Sequence, residues 1–122
     1  MSRLYAVALL TLATVAAATG RLPAEDARIE YLLAVVASLQ DVQFIRNGMA
    51  YDSAAAVKHM RAKLRLAGGR VKTAEDFIRY CGSESSVSGK PYEIHFPDGR
   101  VVLSADFLRQ KLAEFDAANR PL

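Results

Sequence analysis

The side chains able to carry acid–base, nucleophilic or metal chemistry are few: two histidines, His59 and His95, and a single cysteine, Cys81, in 122 residues. They are widely separated along the chain, without the close ligand pairs that zinc sites use. Serines abound between Gly82 and Gly89. No spacing ties one of them to a histidine and an acid, and the Gly-x-Ser-x-Gly elbow of α/β hydrolases is absent. His59 therefore has two readings. It is either a hydrogen-bonded packing histidine on a helix or the lone base of a hydrolase-like enzyme, and the first is preferred because no partner is fixed by spacing. No cofactor motif is found, and no cofactor is expected.

The polar stretch Gly82-Ser83-Glu84-Ser85-Ser86-Val87-Ser88-Gly89-Lys90-Pro91-Tyr92 has no apolar periodicity. A connection this long in so small a protein is either mobile or functional. It is not a nucleotide-binding phosphate loop. Its glycines are too far apart, Pro91 follows the lysine where Ser or Thr is needed, and Lys90 leads into a strand rather than a helix. What remains is a set of hydroxyls, loop amides and one ammonium group suited to an anionic or polar group. The candidate binding residues are Ser85, Ser86, Ser88, Gly89 and Lys90, with Arg46 and Asn47 beside them. Catalytic and metal-binding residues are not assigned.

These residues need a scaffold. Pro23 to Leu39 reads as a helix with Ile29, Leu32, Leu33 and Val36 on one side, and Pro23, Glu25 and Asp26 suit its first turn. Phe44 and Ile45 favour extended structure, and Asn47-Gly48 is a tight-turn signal. Asp52 or Ser53 caps a second helix to about Ala67. Val57, Met60 and Leu64 form its apolar line, and Lys58, Arg61 and Arg65 a basic ridge. Gly68-Gly69 stops it. Thr73 starts a short third helix, with Asp76 three residues on as a partial capping box and with Phe77, Ile78 and Cys81 facing inward. Tyr92, Ile94 and Phe96 alternate with Glu93 and His95 as a strand. The turn Pro97–Arg100 returns into Val101–Leu103. A lone hairpin is marginal in water, so this one must pack on the helices or pair with Phe44-Ile45. Ser104 is expected to cap the last helix, whose buried side is Phe107, Leu108, Leu112 and Phe115. The fold class is α+β: about four helices with one or two small β-hairpins, as a single domain over residues 22–119, with a tail at 120–122.

The N-terminus reads as an address. Arg3 gives a positive start, Leu4 to Val15 is apolar, and Ala16-Ala17-Ala18 offers small residues for cleavage. This is the layout of a secretory signal peptide over residues 1–18. The run is short for a membrane span, and no cysteine follows it to take a lipid. A periplasmic protein without a membrane span after cleavage is expected. In that setting Cys81 is either a buried inert thiol or half of an intermolecular disulfide. The net charge of +3 is mild. No concentrated basic stripe or aromatic interleaving accompanies it, which argues against nucleic acid as a partner.

Four stretches in order carry a resemblance. They are Phe44-Ile45-Arg46-Asn47-Gly48, then His59 with Arg61 and Lys63, then Thr73-Ala74-Glu75-Asp76-Phe77-Ile78, and lastly Ser85-Ser86-Val87-Ser88-Gly89-Lys90-Pro91-Tyr92. Together they resemble the YfeK-like family of small exported bacterial proteins of unknown function, from about Glu25 to Leu112. The resemblance implies a Gram-negative periplasmic setting and carries over no catalytic residue. A much shorter likeness covers Ser88-Gly89-Lys90-Pro91-Tyr92, which fits the Ser-Gly-x-x-Tyr pattern of bacterial lysozyme inhibitors; that likeness implies a serine-bearing loop that enters the lysozyme cleft. The reading is thus a non-enzymatic binding or interaction module using the 83–90 loop, whose partner is a protein or an anionic or polar ligand of the periplasm. A lysozyme-type inhibitor and a hydrolase-like enzyme built on His59 are the alternatives.

Overall fold

The computed structural model describes residues 20–121. The expected signal peptide lies outside the described residues. Helix α1 spans Pro23–Ser38, with the proline in its first turn and Glu25 and Asp26 at its positive end. Strands β1 (Gln43–Arg46) and β2 (Met49–Tyr51) form a hairpin. Its two-residue turn places Asn47 at φ 51° and Gly48 at φ 77°, the left-handed pair that matches the twist of the flanking strands. Helix α2 covers Ser53–Ala67, and the Asp52 carboxylate accepts from the Ala55 amide at 2.8 Å. Gly68, at φ 54°, ends it and opens a single 3₁₀ turn.

Helix α3 is Ala74–Cys81. Here the capping box is complete: the Thr73 hydroxyl accepts from the Asp76 amide, and the Asp76 carboxylate accepts from the Thr73 amide. Strands β3 (Glu93–His95) and β4 (Val101–Leu103) form the second hairpin, and helix α4 (Ser104–Ala118) closes the fold.

The two hairpins join into one four-stranded sheet of order β2-β1-β3-β4, antiparallel throughout. Phe44 of β1 stands opposite Ile94 of β3 and Tyr51 of β2. This pairing meets the need of each short hairpin for a neighbour. Phe44 and Ile94 turn one sheet face toward the helices, where Ile29, Leu32, Leu33, Val36, Phe77, Ile78 and Leu108 are buried with them. The result is a single α+β domain of four helices and one sheet.

One local expectation is corrected. Ser104 does not cap α4: it is the helix's first residue, Leu103 takes the capping position, and no side chain caps the helix. The cause is the sheet. The Ser104 amide donates to the Tyr92 carbonyl at 2.9 Å, extending the β3–β4 ladder by one rung and turning the hydroxyl into the interior. On α2, the buried residues are Ala56 and Met60, while Val57 and Leu64 are half-buried. Arg61 of the basic ridge is paired with Glu30 of α1 through two bonds of 2.9 and 2.8 Å. Among the described residues, no helix is long and apolar enough to cross a membrane.

Candidate functional site

The β1–β3–β4 register sets the geometry. Gln43 stands opposite His95 and Ile45 opposite Glu93; one further step puts Arg46 opposite Tyr92, and Tyr92 in turn opposite Ser104. Side chains directly opposite in an antiparallel sheet share a face. Arg46, Tyr92 and Ser104 therefore make one row across three strands, on the face that carries Phe44 and Ile94. Helix α2 lies over this row and brings His59 and Lys63, one turn apart, down onto it.

The side chains meet there. His59 Nε2 is 3.1 Å from the Tyr92 hydroxyl, and His59 Nδ1 is 3.4 Å from Arg46 Nη1. Lys63 Nζ donates to the Tyr92 oxygen at 3.1 Å and to the Glu84 carbonyl at 2.9 Å. Arginine is only a donor, so Nδ1 of His59 must present its lone pair to Arg46; Nε2 then carries the proton and donates to Tyr92. Burial, then the charges of Arg46 and Lys63, push the His59 pKa below its ordinary value. The imidazole is thus held neutral between two cations.

The serine-rich loop is braced onto this row. Ser85 is buried, and its hydroxyl accepts from Asn47 Nδ2 at 3.1 Å, from the Val87 amide at 3.2 Å and from the Ser88 amide at 3.3 Å. The Ser88 hydroxyl donates to Asn47 Oδ1 and accepts from the Lys90 amide. Backbone bonds from Ser85 to Lys90 and from Gly89 to Ser85 close the loop on itself. Asn47, Ser85 and Ser88 therefore hold the loop to the β1–β2 turn, while Ser86, Gly89 and Lys90 face solvent. In the Ser88–Tyr92 stretch, Ser88 is bonded to Asn47, and Tyr92 is buried with its hydroxyl turned to His59 and Lys63.

Between α2 and the β1–β2 end of the sheet lies a cavity of about 310 Å³. Phe44, Ile45, Tyr51, Ala55, Ala56, Met60 and Ala62 give it apolar walls; Arg46, His59, Tyr92 and Ser104 contribute the polar groups, and Lys58 stands at its edge. Among the described residues, two polar atoms of these walls are buried without a partner: Arg46 Nε and the Ser104 hydroxyl oxygen. The pair is informative, because buried donors are nearly always satisfied.

The remaining chemistry-bearing residues lie elsewhere. His95 points to the other side of its strand from Ile94 and lies 3.0 Å from Glu93. Cys81 is fully buried in α3, and burial pushes its thiol pKa up to about 11. Among the described residues, no three His, Cys, Asp or Glu side chains are grouped so as to hold a metal. Sequence reading singled out Arg46 and Asn47 but missed Ser104, which it had as a cap, and the partnership of Tyr92 with Lys63. The register offered a signal: with β1 and β3 paired through Phe44 and Ile94, Tyr92 falls beside Arg46.

Residues 23–116 match a family of unknown function, DUF5329. The chain belongs to this family. Over 68 residues it is 46% identical to the uncharacterised protein YfeK of Salmonella typhimurium strain LT2. The aligned segment is 56% of this chain and 57% of that protein, so the match spans little more than half of the relative's length. No solved structure matches. The YfeK-like resemblance carried by the four sequence blocks is thus found by direct comparison. In this DUF5329 chain three of those blocks converge: Arg46, His59, Tyr92 and Lys63 form one chain of contacts, and beside it Asn47 is bonded to Ser85 and Ser88.

Proposed function

We propose that this DUF5329 chain is a non-enzymatic binding protein of the periplasm, and that it recognises a small anionic or polar ligand in the cavity between α2 and the β1–β2 hairpin. The observation that carries this reading is the buried, unpaired Nε–H of Arg46 in the wall of that cavity. A charged donor taken from water without an acceptor is costly, and a ligand oxygen removes the cost. The braced 83–90 loop fixes the turn that carries Arg46, and so acts as the site's support. Catalysis through His59 is disfavoured, because its ring nitrogens face Arg46 and Tyr92 rather than a carboxylate and a nucleophile.

A second reading rests on Val87, which is 89% exposed at the tip of the braced loop. A rigid loop presenting Ser86, Val87 and Lys90 suits a protein partner. The two readings separate in one experiment: titrate isotope-labelled mature protein with small-molecule periplasmic extract, then with periplasmic protein, and follow amide and Arg Nε resonances. Shifts at Arg46, Ala55 and Ser104 with the first support the cavity. Shifts confined to 86–90 with the second move recognition to the loop, and silence with both overturns the binding reading. Export is checked by mass spectrometry of the protein made in a Gram-negative host, where a chain starting near Thr19 is expected and an uncleaved chain contradicts the periplasmic assignment.

A further inference from the structure

We propose that the cavity takes a small monocarboxylate with an apolar body, its carboxylate on Arg46 and its body between α2 and the sheet; this rests on the cavity reading above and names the ligand class.

Arg46 differs from the other arginines for which ion pairs are seen. Arg21, Arg28, Arg61, Arg100 and Arg109 each face a carboxylate within 3.5 Å. Arg46 has only a long contact from Nη1 to the neutral His59 ring. That leaves Nε–H buried without a protein acceptor among the described residues, and Nη2 shares its edge of the guanidinium. Two parallel N–H groups on one edge are the fork that binds a carboxylate through both oxygens.

The pocket also restricts the rest of the ligand. Among the described residues no carboxylate side chain lines it, so a ligand ammonium would find no counter-ion there; this removes amines and zwitterions. Phe44, Tyr51, Ala55, Ala56 and Met60 ask for an apolar body. The volume is at the lower end for ligand pockets, about 300–1,000 Å³, which leaves no room for a nucleotide or an oligosaccharide. Ser104 adds one hydroxyl, fully buried and unpartnered, two strands across from Arg46 in the same row. It suits a second oxygen on the ligand, such as a keto or hydroxyl group, and sets no requirement for one.

The test compares four probes on the mature protein by calorimetry and amide NMR: octanoate, octanamide, octylamine and inorganic phosphate. Octanoate is expected to bind with shifts at Arg46 Nε, Ala55 and Ser104, and octanamide at least tenfold more weakly. Arg46→Gln should abolish the difference between acid and amide. The comparison on wild-type protein stands even if that variant fails to fold. Equal binding of octanoate and octanamide, or tighter binding of octylamine or phosphate at the same resonances, overturns the carboxylate assignment while leaving a binding cavity. No shift at these resonances with any of the four overturns both.

Discussion

At the level of single residues, His59 shows how position sets chemistry. Its ring is half-buried and has Arg46 from β1 and Lys63 from its own helix as charged neighbours, with the Tyr92 hydroxyl on the remaining nitrogen. All the named influences lower its pKa from 6.5. As pH falls through this value the unfolded chain takes up the proton first, so protonation favours unfolding. The contribution to stability is complete above about 6.5 and is lost as pH drops toward the folded-state value. Wild-type protein should therefore lose stability as pH falls below about 6.5, and His59→Gln, which keeps a donor and an acceptor, should lose less. Equal slopes for the two proteins in chemical denaturation would refute this account. Cys81 obeys the same desolvation rule with opposite sign: burial raises its pKa because the thiolate is the charged form. A soluble thiol reagent should label native protein only at the rate of unfolding, and fast native labelling would contradict the burial seen here.

At the level of elements, the loop 83–90 has one buried hydroxyl at its centre. Ser85 accepts three hydrogen bonds, from a side chain of the β1–β2 turn and from two amides of its own loop. Ser85→Ala removes an acceptor shared by three part-buried hydrogen bonds, whose donors belong to exposed residues and can turn to water. The expected loss is about 1–2 kcal/mol, the net worth of one or two ordinary hydrogen bonds. The exposed Ser86→Ala should change stability by less than about 0.5 kcal/mol. Thermal melts of the two variants check the contrast, and similar melting points would mean that Ser85 does not organise the loop. Sequence placed both serines in one candidate set, because composition cannot tell a hydroxyl turned inward from one turned outward. The helices and strands were legible for the opposite reason. Ile29, Leu32, Leu33 and Val36 repeat at the helical period, Tyr92 and Ile94 at the strand period, and Asn47-Gly48 has few other uses. The pairing of β1 with β3 is open in the sequence, and with it the row Arg46–Tyr92–Ser104. That row depends on contacts distant in sequence, which no local pattern records.

At the level of the whole molecule, a second arginine ties the helices together on a side of the fold not shared with the cavity lining. Arg28 of α1 donates to Glu25 at 2.8 Å, to both oxygens of Glu75 on α3 at 3.1 and 2.6 Å, and to both oxygens of Asp116 on α4 at 3.1 and 2.9 Å. Glu25 in turn accepts from the Ala74 amide, an otherwise unmet donor at the start of α3. The planar guanidinium thus joins three helices through one charged centre, and the hydrogen bonds of its partners raise its pKa further. Arg28→Met keeps the hydrocarbon stem and removes the bonds. Hydrogen bonds to charged groups contribute roughly 1.5–3 kcal/mol, but Glu75 and Asp116 are substantially exposed and solvent screens part of this. The net loss is expected to be about 1–2 kcal/mol. Because removing the cation also leaves Glu25, Glu75 and Asp116 as close like charges, Asp116→Asn should cost less in the Arg28→Met background than alone. A double-mutant cycle by chemical denaturation measures that coupling. Additive losses would show that Arg28 and Asp116 act independently, and an Arg28→Met protein within 0.5 kcal/mol of wild type would show that the helices are held by their apolar faces alone. Ligand binding gives a separate readout. Arg28 does not line the cavity that holds Arg46, so the Arg28→Met protein, still folded, should bind the same ligand with unchanged affinity; a loss of affinity would place the two arginines in one coupled unit.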